Sequence, residues 1–367
     1  MQNIKNKKLY YLAGIVIALG VVLYLWTGNQ SAETNSPEEP IRLGMIFPLT
    51  GQFGTVAEGI RNASLMAVAD YEAANPGVEV EVTIEDDGYD AAKGIAAYNK
   101  LKNIDRVEGI VSVSTPVIDA LYKTYQKDGL PVINFGVQTE GVGDDNIFQI
   151  LPDARGQVKP LADYLQNNTD YDNIVVVHST NDVAPASFYE EFIKLYNKPY
   201  KEIAINTKDE SRVVANRIMA ESASAVVFIL APEIGASLTK EVKVLDKTGM
   251  DYYYDSFMTN GWDEYKKILG DTNILNGATT IRVASSDISE FAKKYEAEYK
   301  IAPAIFAESG YDSTMIMLNT YNSKKSTWVS KIKEIAYEGI AGLTTFDEKG
   351  VRVSEYDIVK VVDGQIK

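Results

Sequence analysis

From Ile41 onward the chain alternates short apolar runs with longer stretches in which apolar residues recur every three or four positions. Residues 42–47, 79–85, 109–114 and 131–135 have the length and β-branched content of buried strands. Between them, 56–74, 91–102 and 116–127 have helical periodicity; in the last, Val117, Leu121 and Tyr125 share one face. The pattern restarts after about Asp153, with strands expected at 173–178, 200–205, 225–230 and 252–258 and helices at 185–196, 212–221 and 234–247. From Ile281 on, helices are expected at 288–299, 306–321 and 329–337, and a closing pair of strands near 356–362. Strand–helix–strand alternation predicts parallel sheets covered on both faces, in two doubly wound lobes of similar plan. In such lobes the strand C-terminal ends face each other across a cleft, where ligands of open α/β sheets bind.

The first forty residues follow another pattern. Lys5, Lys7 and Lys8 precede an apolar run over 10–26, with Tyr10 and Tyr11 at one end and Tyr24 and Trp26 at the other. Such a helix reaches roughly 26 Å, enough to span a bilayer, and aromatics at both ends suit the two interfaces. The lysines on the N-terminal side put the body outside the membrane. Residues 1–27 are therefore expected to be a signal anchor, or a cleaved signal peptide, with 28–40 as a polar linker.

Composition narrows the functions. The formal charge of −15 disfavours nucleic-acid binding, which leans on Lys and Arg. With no cysteine there is no disulfide, thiolate metal site, Cys nucleophile or lipidated Cys, and one histidine, His178, allows no His-based metal cluster. His178 lies beside Ser179 and Thr180, but the chain has no G-x-S-x-G elbow, and His178 is expected on a loop or cleft rim. The glycines of PLTGQFGTVAEG lack the G-x-G-x-x-G spacing that a dinucleotide requires. Asp86, Asp87 and Asp90 suggest either a cation site or an acidic turn that caps a helix near Ala91. No catalytic residue, metal or cofactor is expected.

The segment IRLGMIFPLTGQFGTVAEGIRNASLMAVADYEA, then VEVEVTIEDDGYDAAKGIAAYNKL, then GIVSVSTPVIDALYKTYQKDGLPVINFG, AESGYDSTMIMLNTY and YEGIAGLTTFDEKG follow in order over 41–367. Together they resemble the type I periplasmic binding proteins of branched-chain amino acid (Leu/Ile/Val) ABC transport. The resemblance implies an α/β fold of two Rossmann-like lobes joined by a three-strand hinge. Lobe 1 would be 41–152 plus 281–344, and lobe 2 153–280 plus 345–367.

The resemblance also implies ligand-binding positions. Ser114 and Thr115 end a strand before Pro116, where a helix start offers N–H groups and hydroxyls to a carboxylate; by themselves they are also an ordinary helix cap. Thr115 matches the hydroxyl residue that holds an amino acid's carboxylate. Gly136 would give backbone contacts, Gln138 sits where a hydroxyl residue binds, Phe53 matches an aromatic wall position, and Phe306 is a further candidate ligand contact. In lobe 2, Val183 stands where the family has an aromatic, and Asn260 or Thr259 near the acid that pairs with an α-ammonium. An amide cannot supply that charge-assisted bond, so amino-acid specificity is open. Trp262 is a candidate wall; Glu308 is a candidate substitute acid and is otherwise read as a solvated charge. The implied function is extracytoplasmic solute binding for an ABC transporter permease, by a monomer that captures a small amino acid, amide or carboxylate by hinge closure. The alternatives are a membrane-anchored sensory module and, more remotely, an enzyme on a Rossmann-like fold.

Overall fold

A computed structural model describes residues 39–51, 53–136, 146–284 and 288–367. The expected N-terminal anchor or signal, most of the linker, and Gln138 lie outside the described residues. Among the described residues no helix is long and apolar enough to cross a membrane.

The first sheet is built from β1 (Ile41–Phe47), β2 (Val80–Asp86), β3 (Gly109–Ser112), β4 (Val132–Asn134) and β5 (Ile147–Gln149), all parallel in the order β2-β1-β3-β4-β5. β1, β3, β4 and β5 are almost wholly buried, as a parallel sheet covered on both faces requires. Helices α1 (Gly54–Ala74), α2 (Ala91–Asn103) and α3 (Thr115–Asp128) connect β1 to β4. The helical period over 116–127 is realised, with Val117, Leu121 and Tyr125 buried together. Asp90 accepts from Lys93 N at 2.9 Å and caps α2, so the acidic turn is a capping turn. Asp90→Ala is expected to cost about 1 kcal/mol in chemical denaturation; no loss would mean that the cap is idle.

The second sheet takes β6 (Ile174–His178), β7 (Lys201–Ala204), β8 (Ala225–Ile229), β9 (Asp251–Tyr254), β10 (Thr279–Val283), β14 (Tyr356–Val362) and β15 (Gln365–Ile366). Its order is β15-β14-β10-β9-β8-β6-β7, parallel from β7 to β10, with β14 antiparallel to β10. Helices α4 (Ala154–Asn168), α5 (Val183–Leu195), α6 (Ser211–Ala220) and α7 (Pro232–Leu245) cover it. The second sheet is thus mixed, where the alternation alone predicted parallel.

Two expected elements have other bounds. The strand expected over 252–258 stops at Tyr254, because Asp255 accepts from Phe257 N at 3.0 Å and starts α8 (Ser256–Asn260), followed by α9 (Trp262–Leu269). After α10 (Ser289–Tyr299) and α11 (Ala307–Thr320), the helix expected at 329–337 is α12 (Lys325–Lys333), which buries Trp328 and Ile332 one turn apart. Tyr337 opens β11 (Tyr337–Gly339), which pairs with β12 (Gly342–Phe346); β12 in turn pairs with β13 (Arg352–Val353).

Residues 279–283 lie in the second sheet, so the chain returns to the first body only after Val283. There α11 packs on α1: Gly59 lies against Ala304, Ser64 Oγ donates to the Gly310 carbonyl at 3.2 Å, and Tyr311 OH donates to Asp70 at 2.7 Å. The paired positions rise together along both chains, so α11 runs parallel to α1 and both helices start at the strand C-terminal edge of the first sheet. Three crossovers join the two bodies. The third, near 347–355, lies between the other two: Gln149 N donates to Gly350 O, and Ala284 N donates to Glu355 O, both at 2.8 Å.

Candidate functional site

The C-terminal ends of β1 to β4 form one wall of the inter-lobe region. After β2, Asp86 accepts from Thr50 Oγ1 at 2.6 Å and Gly88 N at 2.9 Å, which ties the loop after β1 to the loop after β2. Asp87 is buried and accepts from Tyr89 N at 2.6 Å and Ser114 Oγ at 2.9 Å. Burial raises its pKa above the usual carboxylate value, against those two hydrogen bonds. Among the described residues, no group of three or more His, Asp or Glu is placed to hold a metal ion.

Ser114 therefore neither caps α3 with its side chain nor points its hydroxyl at the inter-lobe region; it donates to Asp87. Thr115 is the first residue of α3 and half-buried. Gly136 packs on it so closely that a Cβ there would lie 2.8 Å from both Thr115 N and Cα. Only glycine permits this approach of the β4 end to the start of α3. The structure thus brings Ser114, Thr115 and Gly136 together.

Phe53 sits just before α1, 38% exposed, its ring 4.5 Å from that of Tyr89. Phe306 immediately precedes α11 in a left-handed conformation (φ 67°) and packs on the first core beside the start of that helix.

In the second body, Val183 opens α5 behind the Asp182 cap. His178 is buried, not on a rim: its ring stacks on Tyr189 at 3.5 Å, and Nε2 lies 2.9 Å from Glu202 Oε1. That bond to His178 lowers the Glu202 pKa. With one face stacked and both ring nitrogens engaged, Nδ1 lying 3.2 Å from the Ser179 carbonyl, His178 is a packing residue. Asn260 is exposed at the end of α8, and Trp262 packs on the second core. The structure does not gather Asn260 with a buried polar set. The residue that sequence reasoning missed is Asp255, directly after β9 and 1% exposed. One of its carboxylate oxygens caps α8 and the other, Oδ2, has no hydrogen-bond partner; burial holds its pKa well above the usual value. The signal was present in Asp-Ser-Phe, an acid ahead of a helical turn, but the tyrosine run before it reads as a continuing strand.

Glu308, in the first turn of α11, is half-buried rather than a freely solvated charge. Burial pushes its carboxyl up to about 7, helped by nearby Asp312 and opposed by its own backbone N–H and by Arg352. Asp312, also buried, accepts from Ile340 N at 2.9 Å and Ala341 N at 2.7 Å, and burial raises it to about 6.

A family model described as periplasmic binding protein matches residues 40–365. No match is found among curated protein sequences. Among solved structures, a putative branched-chain amino acid ABC transporter protein from Rhodospirillum rubrum is similar, with TM-score 0.74 and 19% identity, over 90% of this chain and 99% of that one. A branched-chain amino acid transporter substrate-binding protein from Streptococcus pneumoniae, in complex with isoleucine, has TM-score 0.67 and 18% identity over 90% and 98%. A solute-binding protein of an ABC transporter from R. palustris, in complex with benzoate, has TM-score 0.65 and 18% identity over 90% and 95%.

Proposed function

We propose, from the premise that the chain belongs to the periplasmic binding protein family, whose members bind solutes and are not enzymes, that it is the extracytoplasmic solute-binding protein of an ABC transporter. It captures a small amino acid, amide or carboxylate between its two lobes, and hinge closure presents the loaded form to the permease. Residues 1–27, as anchor or signal, put the body outside the membrane.

The observation that carries this reading is the pairing of Gly136 with the start of α3, at the strand C-terminal edge of a two-sheet, three-crossover frame. A helix start with a hydroxyl and a closely packed glycine suits a carboxylate. Isoleucine and benzoate, held by the two related structures, both carry one. Asp255 is a better candidate than Asn260 for an ammonium, whose charge would draw its raised carboxyl back to the ionised form.

The test is a thermal-shift screen of the full-length chain against amino acids, amides and small organic acids. A ligand at a hundredfold excess over its Kd stabilises by about 2.7 kcal/mol and raises Tm by several degrees. Thr115→Ala should cut that affinity about tenfold. Binding that Thr115→Ala leaves intact would place the ligand elsewhere.

A further inference from the structure

The inner face of the third crossover is not accounted for by the carboxylate seat. Between β13 and β14 exposure alternates: Val353, Glu355 and Asp357 are exposed, while Arg352, Ser354 and Tyr356 turn inward. Side chains two apart on an extended segment share a face. Each of the three inward ones holds a buried polar atom without a hydrogen-bond partner: Arg352 Nε, Ser354 Oγ and Tyr356 OH. Arg352 is 4% exposed; its Nη2 donates to the Ala341 carbonyl at 2.6 Å, and its Nε–H is left over.

Glu308 and Asp312 lie close enough to Arg352 to interact electrostatically with it. Both Asp312 oxygens are taken by Ile340 and Ala341 N–H. The Glu308 carboxylate has only its own backbone N–H. Because α11 starts at the strand C-terminal edge of its sheet, Glu308, in its first turn, lies at that edge, near Arg352 of the crossover. One face therefore offers spare donors from the crossover and one spare acceptor from α11.

The charges limit what fits. Two carboxyls share one guanidinium, so an anionic group would meet excess negative charge. A cationic group would have to lie beside the like charge of the Arg352 guanidinium. A neutral group with an acceptor and a donor side by side satisfies both sides without adding charge. Resting on the solute-binding function above, we propose that this hinge face reads a carboxamide or ureido end of the ligand. Its carbonyl accepts from Arg352 and Tyr356, and its N–H donates to Glu308.

The test is calorimetric titration of the full-length chain with two isosteric pairs, L-glutamine against L-glutamate and propionamide against propionate. The amide of at least one pair should bind at least tenfold more tightly than its acid. Tyr356→Phe removes a hydroxyl that has no partner in the free protein, so its Tm should hold or rise, while its amide affinity falls about tenfold; Glu308→Leu should show the same loss. Equal or tighter binding of the acids, or an amide affinity unmoved in Tyr356→Phe, overturns the proposal. Binding of isoleucine with neither amide bound also overturns it but leaves the solute-binding function standing. Failure of every compound in the wider screen sinks both.

Discussion

Replacing Asp312 with alanine is expected to destabilise the protein by about 3–5 kcal/mol. Asp312 holds the tip of the β11–β12 hairpin through two N–H groups, Ile340 and Ala341, and it is the buried anion nearest in role to the buried Arg352. Its removal strands two donors and leaves Glu308 as the remaining carboxyl near the buried guanidinium, and each of those losses is costly in a water-poor site. Gly339 packs so closely on Asp312 that a Cβ there would run into the carboxylate. Equilibrium unfolding in guanidinium chloride measures the effect. A loss under 1 kcal/mol would mean that the hairpin and Arg352 find other partners.

Glu308→Gln is expected to stabilise the protein at pH 8 and to flatten its stability between pH 5 and 8. The folded carboxyl sits at about 7 against an ordinary value of 4.5, so the native state binds the proton more tightly than the unfolded chain does. Stability from this group is then full below pH 4.5 and falls as pH rises through the folded value of about 7. At about 1.36 kcal/mol per tenfold difference in proton affinity, the whole fall is about 3 to 3.5 kcal/mol. Asp312, raised to about 6, adds a fall in the same direction at lower pH, which the variant retains. Thermal or chemical denaturation of both proteins across pH 5–8 checks the difference. Parallel curves would show that Glu308 ionises freely.

Much of the scaffold was legible because period and burial agree. β1, β3, β6 and β8 are mainly apolar and, Arg42 apart, buried, and α3 buries the face that its spacing marks. Other elements were hidden by competing signals. β5 is three residues long, and Pro160 lies inside α4, where a proline ordinarily ends a helix. α4 nevertheless buries Val158, Leu161, Ala162 and Leu165, a helical spacing that was there to read. β10 is short and largely threonine and arginine in sequence, a weak hydrophobic signal for a strand, and its Thr279, Thr280 and Ile281 are buried by the sheet around them.

The site was legible in part. Ser114, Thr115 and Gly136 come from one strand–helix–strand unit, and their meeting follows from local order along the chain. The role of Ser114 does not: its bond to Asp87 joins residues 27 positions apart. Glu308 and Arg352 belong to different elements separated by α12 and the β11–β12 hairpin, and only the third crossover brings them near each other. Charge and hydropathy at Glu308 alone describe a surface residue; burial by its neighbours makes it something else.

The most direct test of the central claim, capture of a solute by lobe closure, is small-angle X-ray scattering of the chain with and without a saturating amount of the tightest compound from the thermal screen. Closure around a ligand that prefers the closed state lowers the radius of gyration, and Thr115→Ala should need more ligand for the same change. A radius that stays constant at saturation would contradict a closing clamp.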